Sequence, residues 1–113
     1  MTYKRMVLEI GMGNDLHGGD YTKAAVRAVL DAVHHSSLTM VRSLGIERDS
    51  VRIDVTIGVQ QPDKIDAEAV KSALTFGQIT VTAVKGGLDV PDQGADDLAV
   101  IATAAVEVMF DVS

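Results

Sequence analysis

Two strand patterns that are each followed by a helix pattern most constrain what this chain can fold into. Residues 4–12 and 51–59 have the apolar alternation of strands, and helix patterns follow them over residues 21–35 and 67–76. Two such βα units require right-handed crossovers, which place the strands that they join parallel in one sheet. A chain of 113 residues is the size of one domain, and we expect a single domain over residues 1–113.

Two further strands complete the predicted sheet. Residues 78–85 form the third strand and residues 98–112 the fourth, whose first eight residues are apolar or Thr on both faces, as in a central strand. The connection over residues 86–97 is too long for a tight hairpin, so the last strand can insert antiparallel between strands 1 and 2. The prediction is an α+β fold, an α/β sandwich of order β-α-β-α-β-β. Its four-stranded mixed sheet has the order 1-4-2-3, with two helices on one face.

The two sides of the predicted sheet differ in character. In the first strand, one face carries Met6, Leu8, Ile10 and Met12. We expect the sheet face away from the helices to be polar, small and rich in threonine, and it is predicted to contain Glu9, Arg52, Asp54, Thr56, Thr80, Thr82, Thr103 and Glu107. Such a face is either exposed to solvent or buried inside an oligomer in which the sheets of three or four subunits face inward.

The first helix also suggests an assembly. A core stripe is predicted from Val26, Val29, Leu30 and Val33, and a second surface of small residues from Ala24, Ala28 and Ala32. A helix that is apolar on two sides is usually buried on two sides. We therefore expect the alanine surface to meet another subunit and a charged residue at position 28 to break assembly. The predicted state is a homo-oligomer, with a trimer favoured.

The segment GMGNDLHGGD, residues 11–20, joins the first strand to the first helix. Leu16 breaks the G-x-G-x-x-G spacing, and Gly19 and Asp20 replace the Lys and Ser/Thr of a P-loop, so nucleotide binding is disfavoured. A bound metal on Asp15, His17 and Asp20 stays an alternative, although their spacing matches no metal motif. A tight bend is another alternative, in which glycines permit close packing and positive φ while Asp20 caps the helix.

A small-molecule site is the third interpretation of this segment, because α/β ligand sites usually lie where a parallel strand leads into a helix. Lys23 would orient a carbonyl or carboxylate, His17 would move a proton, and Asp15 would hold the imidazole tautomer. Alanine at position 15 or 17 is then expected to leave the melting temperature unchanged and to abolish ligand binding. The predicted ligand-binding residues are Gly13, Asn14 and Arg27, which lie with Asp15, His17 and Lys23 at this strand-to-helix corner. A second corner is predicted at Lys85, Gly86 and Gly87, and we expect it to face the first across an interface.

Composition excludes several classes of function. The net charge of −6 argues against binding to nucleic acid or to an anionic membrane, which both need clustered Lys and Arg. The chain has no cysteine for a disulfide or a thiolate zinc site, and no apolar run approaches the ~20 residues of a membrane span. With no signal peptide recognisable, a cytoplasmic protein is expected. No cofactor can be identified.

The stretch GMGNDLHGGDYTKAAVRAVLDAVHHSSL, with VKGGLDV and AVIATAAVEV, resembles a family of short bacterial conserved hypothetical proteins named after a Listeria open reading frame. The predicted strand order is also similar to the Bacillus chorismate-mutase-like topology, a group that includes trimers with ligand sites between subunits. It is similar as well to single repeats of cyanuric acid hydrolase and barbiturase, whose Ser–Lys pairs have no counterpart here. The family resemblance implies no established reaction.

These observations predict an oligomeric protein that binds a small polar metabolite at subunit interfaces, as a hydrolase or an isomerase. The alternative is a non-enzymatic structural or partner-binding module, which the lack of an identifiable nucleophile favours. Whether the chain is an enzyme stays open at this point.

Overall fold

The computed structural model of the chain describes residues 1–34 and 39–113, and of Thr39 and Met40 it describes only the backbone. A five-stranded sheet is covered on one face by helices. Its strands are β1 (Tyr3–Asp15), β2 (Arg52–Val59), β3 (Gln78–Lys85), β4 (Leu88–Pro91) and β5 (Leu98–Asp111). The helices are α1 (Tyr21–Val33), α2 (Thr39–Ser43) and α3 (Ala67–Lys71), of which α1 packs on β1, β5 and β2, and α3 packs on β3 and α1.

The strand order is β1-β5-β2-β3, with β5 antiparallel to both neighbours and β2 parallel to β3. This confirms the α+β class and the insertion of the last strand between the first two. The sheet has one strand more than the four predicted. Strand β4 lies in the connection expected to be a loop, and it pairs with β5 beyond the point where β2 ends. The predicted second helix is also too long, since α3 ends at Lys71.

Two glycines allow the chain to leave β3 and enter β4. Gly87 has a φ of +61°, and a Cβ atom there would lie 2.9 Å from the carbonyl oxygen of Gly58. Gly86 passes close to the same residue, since its own Cβ would lie 3.2 Å from the Cα of Gly58. A side chain at this crossing would collide with β2, so the glycines make β4 possible.

Strand β1 packs on α1 through its glycines. A Cβ atom on Gly13 would lie 2.5 Å from the carbonyl oxygen of Ala24, and one on Gly11 would lie 2.8 Å from the Cα of Ala32. By strand alternation Glu9 shares this helix-facing side, so its predicted place on the opposite face is wrong. The large apolar side chains of β1 point away from the helices because the helix can approach only the glycine side.

The alanine surface of α1 is the helix side of this contact. Ala24, Ala28 and Ala32 are fully buried within the chain, so the prediction that they meet another subunit is wrong. A charged residue at position 28 would collide with β1 of the same chain. Leu30, predicted in the core, is 48% exposed, whereas Val29 is fully buried.

The sheet face opposite α1 and α3, here called the open face, carries the predicted threonines and most of the predicted charges. It also carries large apolar residues that the prediction lacks, including Leu8, Ile10 and Met12 of β1 and Leu88 of β4. The core therefore lies on one side of the sheet only.

Among the helices within residues 1–34 and 39–113, none is long and apolar enough to cross a membrane.

Candidate functional site

The segment between β1 and α1 folds back onto the side chain of Asp15, the last residue of β1. Gly18 and Gly19 take φ values of +98° and +64°, which confirms the predicted turn. The turn brings the backbone N–H of Asp20 to the carboxylate of Asp15, where it donates to Oδ2 over 2.9 Å. Asp15 is only 4% exposed, and it is the one buried charged residue in the part of the chain that the structure describes.

Two cations of α1 face the other oxygen of this carboxylate. The Nζ of Lys23 and an Nη of Arg27 both lie 3.8 Å from Oδ1 of Asp15. The two residues are four positions apart and therefore share one side of the helix. Arg27 also donates to the carbonyl oxygen of Asn14 over 2.7 Å. Both cationic side chains are about half exposed, so they can contact Asp15 and a molecule from solvent at once.

His17 is held by a carboxylate from the other end of the chain. Its Nδ1 lies 2.9 Å from Oδ2 of Asp97, whose Oδ1 accepts from the N–H groups of Gly18 and Leu98, each over 2.8 Å. The bond from Gly18, then those from His17 and Leu98, lower the pKa of Asp97 to about 2. Because an ionised carboxylate can only accept, the proton of a neutral His17 sits on Nδ1. Nε2 is left as an acceptor on a side chain that is 84% exposed.

The predicted partner of His17 is therefore wrong, since Asp97 and not Asp15 orients the imidazole. The sequence offers no signal for this contact. The two residues are 80 positions apart, and Asp97 lies in an acidic connection with no periodic pattern. Asp15, Lys23, Arg27 and Asn14 do come together as predicted, and their ability to bind a ligand stays a prediction.

The remaining predicted ligand residues have structural contacts. Gly13 lies beneath α1, which gives it a packing role. Gly86 and Gly87 form the crossing into β4, and their carbonyl oxygens accept from Nε2 of Gln60 over 3.0 and 3.2 Å. Lys85 is exposed at the end of β3 and makes no ion pair with any residue that the structure describes.

A second polar cluster at the start of α1 is not predicted from the sequence. The hydroxyl of Tyr21 donates to Oδ2 of Asp89 and accepts from Nε2 of Gln61 over 3.0 Å. Burial, and then the hydrogen bond to Asp89, raise the pKa of Tyr21. Oδ1 of Asp89 is buried and has no partner among the described residues. Because Asp89 belongs to strand β4, which the sequence pattern does not predict, this cluster could not be predicted either.

The predicted metal alternative would need Asp15, His17 and Asp20 to converge. Each of these side chains instead contacts a different protein group, with Asp20 accepting from the N–H of Lys23 over 3.0 Å. Within residues 1–34 and 39–113, no three His, Asp or Glu side chains are arranged to hold a metal ion.

A cavity of about 520 Å³ lies at the opposite end of the sheet from this corner. Val41, Ile46 and Phe76 line it together with two arginines, and the guanidinium of Arg48 lies 4.7 Å from the centre of the Phe76 ring. It contains none of the predicted site residues.

Asp20 is the predicted N-cap of α1, and the structure confirms that role. An Asp20→Ala variant is expected to lose about 1 kcal/mol of stability because the N–H of Lys23 loses its acceptor. For a domain of this size the melting temperature should fall by about 3–5 °C in a calorimetric scan. Asp20→Asn preserves the acceptor and should stay close to the wild type. Equal melting temperatures for all three proteins would contradict a capping role.

The comparisons with known proteins agree with the whole-chain resemblance. A family model described as conserved hypothetical protein (Lin0512_fam) matches residues 5–108. The chain belongs to this family. The match confirms the resemblance to conserved hypothetical proteins named after a Listeria open reading frame, and the Lin0512 family brings no reaction with it.

One solved structure shares the fold of this Lin0512 family member over nearly its full length. It is the crystal structure of an FtsZ-like protein of unknown function from Nostoc punctiforme PCC 73102, with a TM-score of 0.87 and 34% sequence identity. The match covers 98% of each chain. No curated protein matches the chain. The likeness to the Bacillus chorismate-mutase-like topology stays a prediction.

Proposed function

We propose that this Lin0512 family member is a cytoplasmic homo-oligomer, with a trimer favoured, that binds a small polar metabolite near a subunit boundary. The ligand class is a small carboxylate or carbonyl compound. The observation that carries the proposal is the convergence of Lys23 and Arg27 on the buried carboxylate of Asp15, at the start of a helix.

Local charge favours an anion at this corner. Lys23 and Arg27 contribute two positive charges against the single negative charge of Asp15, so these three side chains are net positive on a chain whose overall charge is −6. The carboxylates of Asp20 and Asp97 at the same corner already accept hydrogen bonds from backbone N–H groups of the protein. The positive end of the α1 macrodipole points to the same place. Asp15 itself is buried behind the two cations and holds them in position without competing in solvent for the ligand.

His17 adds the capacity for proton transfer. With Nδ1 held by Asp97, Nε2 can take a proton from the carbon next to a carbonyl group, while Lys23 stabilises the negative charge that develops on the carbonyl oxygen. Return of the proton to a neighbouring atom would complete an isomerase reaction. A hydrolase would use the same Nε2 to deprotonate a water molecule. Both are reactions that a carboxylate-held histidine supports.

A thermal-shift screen tests the binding step with short-chain mono-, di- and keto-carboxylates and with neutral amides of the same shape. At a ligand concentration of about 100 Kd, the wild type should gain about 2.7 kcal/mol, which is a shift of several degrees. The Lys23→Met and Arg27→Met variants should lose this shift because they remove the cations. His17→Gln should keep the shift, since it removes the base without removing a cation.

Lys71→Met is the matched control, because Lys71 forms an ordinary helix-surface pair with Glu68 on α3. It should retain the full ligand shift. Absence of any carboxylate or carbonyl compound that stabilises the wild type would reject the binding proposal, as would an equal loss of the shift in Lys71→Met.

A second candidate function is a non-enzymatic structural or partner-binding module. The observation that favours it is the open face, where large apolar side chains remain exposed in the single chain. A protein that assembles but responds to none of the screened compounds would favour this second function.

A further inference from the structure

The register of the strands arranges the open face in rows across the sheet. One row contains Arg5, Met109 and Arg52, and the next contains Glu107 and Asp54. On the open face, the charged side chains of the paired rows lie in these two rows and in the neighbouring row of Tyr3 and Asp111. The charged end of the open face is defined here by these three rows, which carry two arginines and three carboxylates.

The following rows carry no charge at all. They begin with Ile10, Ala105, Thr56 and Thr82, and they end with Val90 and Ala99. This region is here called the uncharged half. Its large side chains are well exposed in the single chain, with Ile10 and Leu88 each at 59%. A contiguous apolar surface of this kind marks an interaction site in a folded protein.

We propose that the uncharged half of the open face packs against a second copy of this chain. The inference rests on the proposed homo-oligomer, in which the uncharged halves of neighbouring copies face one another. At about 3.3 Å of rise per residue and about 4.8 Å between strands, the five strands present a whole face of roughly 700 Å², of which the uncharged half is about half. A stable interface buries roughly 800 Å² per partner. The uncharged half therefore forms the apolar centre of the interface, and the residues around it supply the remaining area.

Charge selects a second copy as the occupant. The chain carries a net charge of −6, so two copies repel each other through most of their surfaces. The uncharged half of the open face can meet an identical surface without leaving a charge buried and unpaired. A different protein would be expected to use charged groups for steering and selection, and the uncharged half offers none. Interfaces between identical chains are accordingly the more apolar class.

The shape of the uncharged half suits an identical surface as well. Small residues such as Ala105, Gly58 and Thr103 occupy its centre, between the larger side chains of β1 and those of β3 and β4. Large side chains of one copy can enter the low centre of the other, as in face-to-face sheet packing at about 10 Å.

The position of this surface also connects assembly with the candidate site. The uncharged half lies toward the end of the sheet where β1 reaches Asp15. The row of Asn14, Ile101 and Leu88 is the last of its rows that includes a residue of β1. A second copy on the uncharged half therefore lies at the same end of the sheet as the cations of α1, on the opposite face.

Light scattering coupled to size exclusion tests the proposal on the full chain. The wild type should have a mass that is a multiple of 12.0 kDa, and Ile10→Lys and Leu88→Lys should each lower it toward the mass of one chain. Leu30→Lys is the matched control, because Leu30 is similarly exposed but lies on the opposite, helical side. A wild-type mass of one chain, or an oligomer that survives both open-face variants, would overturn the proposal. Disassembly by Leu30→Lys alone would place the interface on the helices.

Oxidation of the unaltered protein gives a second readout that needs no variant. Met12 is more than half exposed in the single chain and belongs to the uncharged half, whereas Met1 is almost fully exposed at the terminus. In the oligomer, hydrogen peroxide should oxidise Met12 at least several-fold more slowly than Met1. Similar rates at concentrations where the protein is oligomeric would reject the surface. Because Lys23 and Arg27 lie outside the open face, a failed ligand screen would leave both of these measurements unaffected.

Discussion

A Gly13→Ala substitution is expected to lower the melting temperature by more than about 10 °C. The added Cβ would lie 2.5 Å from the carbonyl oxygen of Ala24 and 2.7 Å from the carbonyl carbon of Arg27, and both atoms belong to the backbone of α1. A backbone cannot rotate away as a side chain can, so α1 must separate from β1. Overpacking of this kind costs about 3 kcal/mol or more, which is a large share of the stability of a small domain.

Gly94→Ala provides the control for this prediction. A Cβ on Gly94 would meet only Oδ1 of Asp92 at 3.7 Å, and Gly94 does not need a positive φ. Calorimetric scans should show Gly94→Ala within a degree or two of the wild type. If Gly13→Ala melts like Gly94→Ala, the close approach of α1 to β1 is not a feature of the protein in solution.

The same contact shows why the faces of β1 could not be predicted from hydrophobicity. Met6, Leu8, Ile10 and Met12 are far more apolar than the residues between them, and a periodicity argument therefore favours their side for the core. Glycine carries no hydrophobic signal, although Gly11 and Gly13 are what allow α1 to lie against the strand. A better signal was present in the alanines at every fourth position of α1, because small residues on both partners indicate close backbone packing.

The order of the four long strands could be predicted, because length, alternation and crossover rules restrict it strongly. The presence of strand β4 could not be predicted in the same way. It has only four residues, one of them Pro91, and it follows two glycines, so its composition is that of a loop. It forms a strand because β5 extends beyond the end of β2 and offers unpaired backbone groups there.

The candidate site likewise contains residues that could be grouped from the sequence and residues that could not. Asp15, Lys23 and Arg27 could be grouped from the sequence because they lie within one strand-to-helix unit, where spacing fixes which side chains are neighbours. Asp97 and Asp89 come from a later part of the chain and contact His17 and Tyr21. Asp97 ends a long connection, and Asp89 lies in strand β4, whose composition is that of a loop. Contacts of that kind depend on tertiary packing, and no local pattern encodes them.

An Asp15→Ala variant is expected to lose about 2–4 kcal/mol of stability, contrary to the expectation that this position matters only for ligand binding. The carboxylate accepts from the N–H of Asp20 and lies within 4 Å of Lys23 and Arg27. Its removal leaves a partly buried N–H without an acceptor and two cations without a counter-charge, and losses of this size follow when one partner of a buried polar group is deleted. The measurement is the free energy of unfolding in urea.

His17→Ala is the matched comparison, since His17 is also at the corner but is mostly exposed, and its loss should change stability by less than about 0.5 kcal/mol. Asp15→Asn should fall between the two, because an amide oxygen can still accept from Asp20 but cannot offset the cations. A ranking in which His17→Ala is the most damaging would show that the loop is held by Asp97 rather than by Asp15. The expected ranking would mean that the buried carboxylate organises the corner, and that ligand binding must be assayed through Lys23 and Arg27, which can be changed without removing it.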